Sequence, residues 1–125
     1  MIRVLVADDS ALFLDAVADV IAASPGFELD GLARSGEEAI ELAAARGPDL
    51  ALIDVNMPGI DGREAAERIA VASPDTTIVL MTATPDVVRR PDILDKRDLS
   101  PSTLAEIREG LTYPRRARAA RAGER

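Results

Sequence analysis

The stretch LIDVNMPGIDG, residues 52–62, ends an apolar run in an aspartate and follows it with turn residues. Together with the residues just before it, the run reads PDLALID (48–54), which has the length and composition of a short strand buried on both faces. A carboxylate at the end of such a strand lies where the protein interior meets water. We therefore expect Asp54 to take part in chemistry rather than in a plain turn.

On both sides of this stretch, short apolar runs alternate with segments in which apolar residues recur at helical spacing. The pattern predicts strands at residues 2–7, 27–33, 49–54 and 76–81, and a thin fifth strand near Ile93. It predicts helices at 12–23, from the capping-box serine Ser35 to Gly47, from Asp61 to Ser73, and from Ser100 to Leu111. Such alternation is typical of an α/β fold with a doubly wound parallel sheet. We expect five strands in the flavodoxin-like order 2-1-3-4-5.

In a sheet of this order, the ligand site lies beyond the carboxyl ends of strands one and three. Asp8 and Asp9 follow strand one, and Asp54 ends strand three. Carboxylates that converge there repel one another unless a cation or protons neutralise them. A hard divalent ion with oxygen ligands is the simplest answer, and Mg²⁺ fits best because it needs only one or two carboxylates. Each aspartate taken alone could instead be a turn or capping residue.

Two further residues are expected at the same edge of the sheet. Thr82 ends strand four, and Lys96 follows strand five. Lys96 is the only lysine in a chain whose other basic residues are all arginine. A pocket shaped for a compact ammonium explains this choice, and chance is the alternative.

Composition excludes several classes of function. The net charge of -7 argues against direct nucleic-acid binding. The absence of cysteine and histidine excludes disulfides, thiolate chemistry and histidine-based catalysis. Apolar runs are too short for a membrane span, so a cytoplasmic protein is the default expectation. Only 2% of residues are aromatic, which leaves Ala, Val, Leu and Ile to build the core.

The ordered set of motifs resembles the receiver domain of two-component response regulators. The resemblance rests on Asp8-Asp9, the D-x-N-M-P-G-x-D-G stretch of residues 54–62, Thr82-Ala83 and Lys96. It covers residues 1 to about 111. We expect a receiver domain at 1–112 and an Arg-rich tail or linker at 113–125.

The resemblance implies a role for each residue. Asp54 would be the phosphoacceptor, which receives a phosphoryl group from a sensor histidine kinase. Asp9, Asp54 and the carbonyl of Asn56 would hold Mg²⁺ directly, and Asp8 would hold it through water. Lys96, Thr82 and the Ala83 amide would contact the phosphoryl oxygens. Asn56 and Thr84 resemble positions that tune the loss of the phosphoryl group. Such a domain catalyses only its own phosphorylation and dephosphorylation.

The chain departs from the family pattern in two places. Residues 82–92 are too few for a full returning helix, because a five-residue strand spans about 17 Å and a helix rises 1.5 Å per residue. We expect the fourth helix to be missing or shortened, with Val87 and Val88 in a loop that docks on the sheet or a partner. Ile93 stands where the family usually has Tyr or Phe, which puts in doubt the coupling of the site to the surface.

Three functions remain open at this point. The first is a phosphorylated signalling switch, whose partners would be a sensor kinase, a downstream protein or DNA-binding output domain outside this chain, and a second copy of the chain. The second is a receiver-like interaction module that works without phosphorylation. The third is a phosphohydrolase of the haloacid dehalogenase type, which the Val55-Asn56 pair after Asp54 and the lack of room for a substrate cap disfavour.

Overall fold

The computed structural model describes residues 1–84 and 93–110. The expected loop with Val87 and Val88, the question of a shortened fourth helix, and the Arg-rich tail all lie outside the described residues.

Five parallel strands form one sheet in the order β2-β1-β3-β4-β5, which confirms the predicted fold class. The strands are β1 Ile2–Ala7, β2 Phe27–Ala33, β3 Leu50–Asp54, β4 Thr77–Thr82 and β5 Ile93–Asp95. Every residue of β3 is buried, as expected for a central strand covered on both faces. The carboxyl ends of β1 and β3 therefore lie side by side in the middle of the sheet.

Helices follow the strands, and side-chain caps define where they begin. They are α1 Ala11–Ala22, α2 Gly36–Arg46, α3 Gly62–Ala72, a 3₁₀ turn at Lys96–Asp98, and a C-terminal helix described over 101–110. Ser10, Ser35 and Asp61 each accept a hydrogen bond from the backbone N–H three residues ahead. Of the two hydrogen bonds of the capping box predicted at Ser35, the one from Glu38 N to Ser35 Oγ is present. The Glu38 carboxylate accepts from Arg34 N, where a full capping box would have it accept from Ser35 N.

Two apolar layers enclose the sheet, because successive residues of each strand point to opposite faces. Val4, Val6 and Leu52 pack in one cluster with α1 and with Leu104 of the C-terminal helix. Leu5 and Ile53 belong to the other cluster, whose remaining members include residues of α2 and α3. This arrangement, with helices on both faces, buries the central strands up to their carboxyl ends.

Two glycines allow the loop after β3 to pack against helix starts. A Cβ on Gly62 would lie 2.1 Å from the carbonyl oxygen of Asp54, and a Cβ on Gly36 would lie 2.7 Å from that of Ile60. Real Cβ atoms do not approach backbone atoms so closely, so both positions require glycine for reasons of space. The loop that follows Asp54 is thus held between the first residues of α2 and α3.

Within the two described ranges, no helix combines the length and the apolar character needed to cross a membrane.

Candidate functional site

Three carboxylates meet at the carboxyl ends of the two central strands. β1 and β3 pair in register up to Ala7 and Ile53, so the next residues, Asp8 and Asp54, are neighbours. Asp8 and Asp54 are buried, whereas Asp9 is exposed. One carboxylate oxygen from each of the three lies within 4.8 Å of the others. The structure therefore brings together the three aspartates that the sequence predicted as metal ligands.

Lys96 reaches the same point from the end of β5. Its Nζ lies 2.5 Å from Oδ2 of Asp8 and 3.3 Å from Oδ2 of Asp54, and its side chain is only 13% exposed. The contact with Asp8 is a close ion pair, and the buried Oδ2 of Asp8 has no further hydrogen-bond partner among the described residues. One ammonium thus partly neutralises the three carboxylates.

Backbone amides hold the other oxygens of the two buried carboxylates. Ser10 N donates to Oδ1 of Asp8 at 2.9 Å, and Asn56 N donates to Oδ1 of Asp54 at 3.1 Å. In both residues Oδ1 is fixed by the amide two residues ahead, and Oδ2 faces the lysine. The two side chains are therefore held in place before any ligand arrives.

Thr82 lies at the end of β4 on this edge and is almost fully buried. Its hydroxyl oxygen accepts a hydrogen bond from Thr84 N at 3.1 Å. The side chains of Asn56, Ala83 and Thr84 are exposed around the site. All the residues expected at the site thus occupy this edge of the sheet, and the roles expected for them stay predictions.

Phe13 is the neighbour of the site that sequence reasoning missed. It lies in the segment predicted as the first helix, residues 12–23, and it packs against the core. Its ring also lies below the ammonium of Lys96, with Nζ 4.6 Å from the ring centroid. The scarcity of aromatic residues, one of which stands five positions after Asp8, was the signal that could have pointed to it.

The pKa of Asp54 is raised above its ordinary value, chiefly because burial removes water from the carboxylate. The hydrogen bond from Asn56 N and the charge of Lys96 lower the pKa, and the charge of Asp8 raises it. Burial outweighs the favourable contacts. The ionised carboxylate of Asp54 is therefore held at a cost in free energy.

We expect Asp54→Asn to raise the free energy of unfolding at pH 7 without divalent cations, by on the order of 1 kcal/mol. A raised pKa means that the wild-type carboxylate favours the folded state below the ordinary value of 3.8 and disfavours it as the pH rises through the folded value. The difference in free energy of unfolding between Asp54→Asn and the wild type should therefore shrink from pH 7 toward pH 4. Urea unfolding in EDTA at several pH values measures this difference.

Asp19→Asn, an exposed substitution on α1, is the matched control and should leave the free energy of unfolding close to that of the wild type. An Asp54→Asn protein that is less stable than the wild type at pH 7 would contradict the expectation.

The chemistry of the site fits a hard divalent cation. The side-chain ligands that converge there are carboxylate oxygens, and the buried Oδ2 of Asp8 has no hydrogen-bond partner within the described residues beyond its ion pair with Lys96. Magnesium and calcium prefer such oxygen ligands. The residues present are thus suited to a hard divalent cation such as Mg²⁺, and Mg²⁺ as the bound ion stays a prediction.

Comparison with known protein families gives a clear result. The family model described as "Response regulator receiver domain" matches residues 4–97. The matched segment contains every residue predicted for the site.

Individual relatives point the same way. The chain is 46% identical over 84 residues to a protein-glutamate methylesterase/protein-glutamine glutaminase 2 of Anaeromyxobacter dehalogenans, covering 67% of this chain and 24% of that protein. It is 42% identical over 82 residues to the response regulator GacA of Pseudomonas viridiflava, covering 66% of this chain and 38% of that protein. The crystal structure of the response regulator domain of Thermotoga maritima CheB superposes with a TM-score of 0.75 at 28% identity, covering 89% of this chain and 96% of that one. The chain thus spans well under half the length of the two curated relatives.

Proposed function

Because this chain belongs to the response regulator receiver domain family, we propose that it is a signalling switch in which Asp54 accepts a phosphoryl group. The donor would be a phosphohistidine on a partner histidine kinase. One carboxylate oxygen of Asp54 forms a bond to phosphorus, the bond from phosphorus to the imidazole nitrogen breaks, and the product is an acyl phosphate on Asp54.

A single observation carries this proposal. Asp54 presents a buried carboxylate with one oxygen held by a backbone amide and the other facing an ammonium 3.3 Å away. A nucleophile whose direction is fixed before the donor arrives avoids the entropy cost of orienting it during the reaction. Phosphoryl transfer requires mainly such positioning and charge neutralisation.

Asp9, Asp54 and the carbonyl of Asn56 are proposed to hold Mg²⁺, and Asp8 to hold it through water. When bound, the ion supplies positive charge that neutralises the phosphoryl oxygens. The cluster of three carboxylate oxygens within 4.8 Å supports this assignment.

The remaining residues act on the transferred group. Lys96 would turn its ammonium from the carboxylates to a phosphoryl oxygen. The hydroxyl of Thr82 and the amide of Ala83 would donate hydrogen bonds to another oxygen. The position of Thr82 at the buried end of β4 supports its role, because it lies one strand away from Asp54.

Residues 1–112 are proposed as the receiver domain and 113–125 as a linker or tail. The output would be a downstream protein or a DNA-binding domain outside this chain, with a second copy of the chain as a further candidate partner. The chain itself would catalyse only its own phosphorylation and dephosphorylation. The activities named for its longer relatives are not assigned to it, since the chain covers only 24% to 38% of them.

The test is to incubate the protein with Mg²⁺ and a small phosphodonor and to measure its mass. We expect one phosphoryl group on the wild type, none after Asp54→Asn, and none in EDTA. Asp61→Asn is the matched control from the same loop, because asparagine also caps helices well and the fold of α3 is kept. Uptake that survives Asp54→Asn would refute the assignment, and no uptake by the wild type would favour the interaction module.

Asp9→Ala is expected to weaken Mg²⁺ binding by about tenfold or more, because it removes one of the few charged ligands of the ion. Titration calorimetry measures the affinity. Asp19→Ala removes an equal charge from the surface of α1 and should leave the affinity unchanged. Equal affinities for Asp9→Ala and the wild type would remove Asp9 from the metal site.

A further inference from the structure

Contacts at the site join four residues in a ring: Asp8, Ser10, Phe13 and Lys96. Oδ1 of Asp8 accepts from Ser10 N, and Ser10 Oγ accepts from Phe13 N, which fixes the first turn of α1. The ring of Phe13 faces Nζ of Lys96, and the same Nζ contacts Oδ2 of Asp8. The placement of the lysine therefore depends on the start of α1 as well as on β5.

The ammonium of Lys96 is held by two kinds of partner. The carboxylates of Asp8 and Asp54 attract it by charge, and the face of Phe13 attracts it through the negative charge density of the ring. Because the lysine side chain is only 13% exposed, water screens these attractions weakly.

The two kinds of partner respond differently to a divalent cation at the carboxylates. Such a cation would compete with the lysine for the same carboxylates and would repel the ammonium. The ring of Phe13 carries no net charge and binds no Mg²⁺, so its attraction for the ammonium stays. With a divalent cation bound at the carboxylates, the face of the Phe13 ring would thus be the partner that keeps the Lys96 ammonium beside Asp54.

We propose that Phe13 is a positioning residue that holds the Lys96 ammonium at the site for phosphoryl uptake. The inference rests on the proposed function for the uptake step, whereas the aromatic contact itself can be tested separately. It also gives a physical reason for the only lysine in the chain, since a compact ammonium fits between one ring and two carboxylates.

The first experiment tests the contact without any phosphodonor. Because Lys96 is the only lysine, ¹³C labelling of lysine at the ε carbon gives one unambiguous NMR signal. We expect the ε protons to be shifted upfield by the ring, to lose this shift in Phe13→Leu, and to keep it in Phe13→Tyr, with and without Mg²⁺. Unchanged signals in Phe13→Leu would overturn the proposal.

The second experiment measures the rate of phosphoryl uptake from a small phosphodonor with saturating Mg²⁺. We expect Phe13→Leu to slow uptake roughly three- to tenfold and Phe13→Tyr to restore it, in line with the strength of a shielded cation–π contact. Val20→Ala is the matched control, because Val20 also packs from α1 onto the same core cluster. A loss of rate in Val20→Ala equal to that in Phe13→Leu would reduce Phe13 to a packing residue.

The outcomes separate this inference from the proposed function. A wild type that takes up no phosphoryl group refutes the proposed function, and the NMR signal then still decides whether Phe13 holds the lysine. A wild type that is phosphorylated at the same rate as Phe13→Leu refutes the positioning role alone.

Discussion

Gly62→Ala is expected to destabilise the fold by about 3 kcal/mol or more, at or above the upper end of the usual cost of overpacking. Its Cβ would lie 2.1 Å from the carbonyl oxygen of Asp54 and 2.7 Å from Cα of Val55. These are backbone atoms next to a fully buried strand, so no flexible side chain can move aside. Either α3 or the end of β3 must shift, and Asp54 shifts with them. Urea unfolding gives the change in free energy, and phosphoryl uptake should fall with it.

Gly31→Ala is the matched control for this substitution. Its Cβ would meet only the side-chain ends of Leu5 and Leu42, at 3.4 and 3.5 Å. These are ordinary contacts, and we expect a change of about 1 kcal/mol or less. Equal free energies of unfolding for Gly62→Ala and Gly31→Ala would contradict the close approach of α3 to the backbone of Asp54.

Lys96→Met is expected to lower the free energy of unfolding by about 2–3 kcal/mol in EDTA, because two buried carboxylates then lose their cation. The loss should shrink when Mg²⁺ is added, since the metal replaces the missing charge. The same substitution should tighten Mg²⁺ binding while slowing phosphoryl uptake by about a hundredfold or more. Unfolding curves, calorimetry and uptake rates measure these three effects.

Lys96→Arg separates charge from shape. It keeps the positive charge, so most of the stability should return, but a planar guanidinium cannot occupy the point of the ammonium. Uptake should therefore stay impaired. Wild-type uptake by Lys96→Arg would mean that the single lysine is an accident of composition.

The fold could be predicted from the sequence because each local signal agreed with its neighbours. The strand predicted at 2–7 is β1 Ile2–Ala7, and that at 27–33 is β2 Phe27–Ala33. The first helix, predicted at 12–23, is α1 Ala11–Ala22. Serine and aspartate caps define where the helices begin. Such caps can be predicted from sequence because the cap side chain bonds a backbone N–H only three residues ahead.

The placement of the predicted site residues followed from topology. In a parallel sheet of this order the strand ends share one edge, so the predicted strand order assigns Asp8, Asp54, Thr82 and Lys96 to one place. The roles of these residues at the site stay predictions.

Contacts between distant segments could not be predicted. The Phe13 ring meets Lys96 because the start of α1 and the end of β5 both lie at the carboxyl-end edge of the sheet. The helical spacing of Phe13 in the sequence indicates only a core position. The close approaches of Gly36 to Ile60 and of Gly62 to Asp54 could not be predicted either. A glycine next to a capping residue is common in sequences and does not indicate a contact with a distant segment.

The three-residue β5 at the edge of the sheet has a consequence for the order of folding. β1 pairs with β2 over six positions, whereas β5 pairs with β4 over only three. Lys96 can meet Asp8 only after a loop of nearly the whole described chain has closed, which costs conformational entropy. The central strands should therefore assemble first and β5 last. In the native protein, β5 should also be the strand that detaches first, so that amide exchange there reports brief local openings that remove the lysine while the rest of the sheet stays folded.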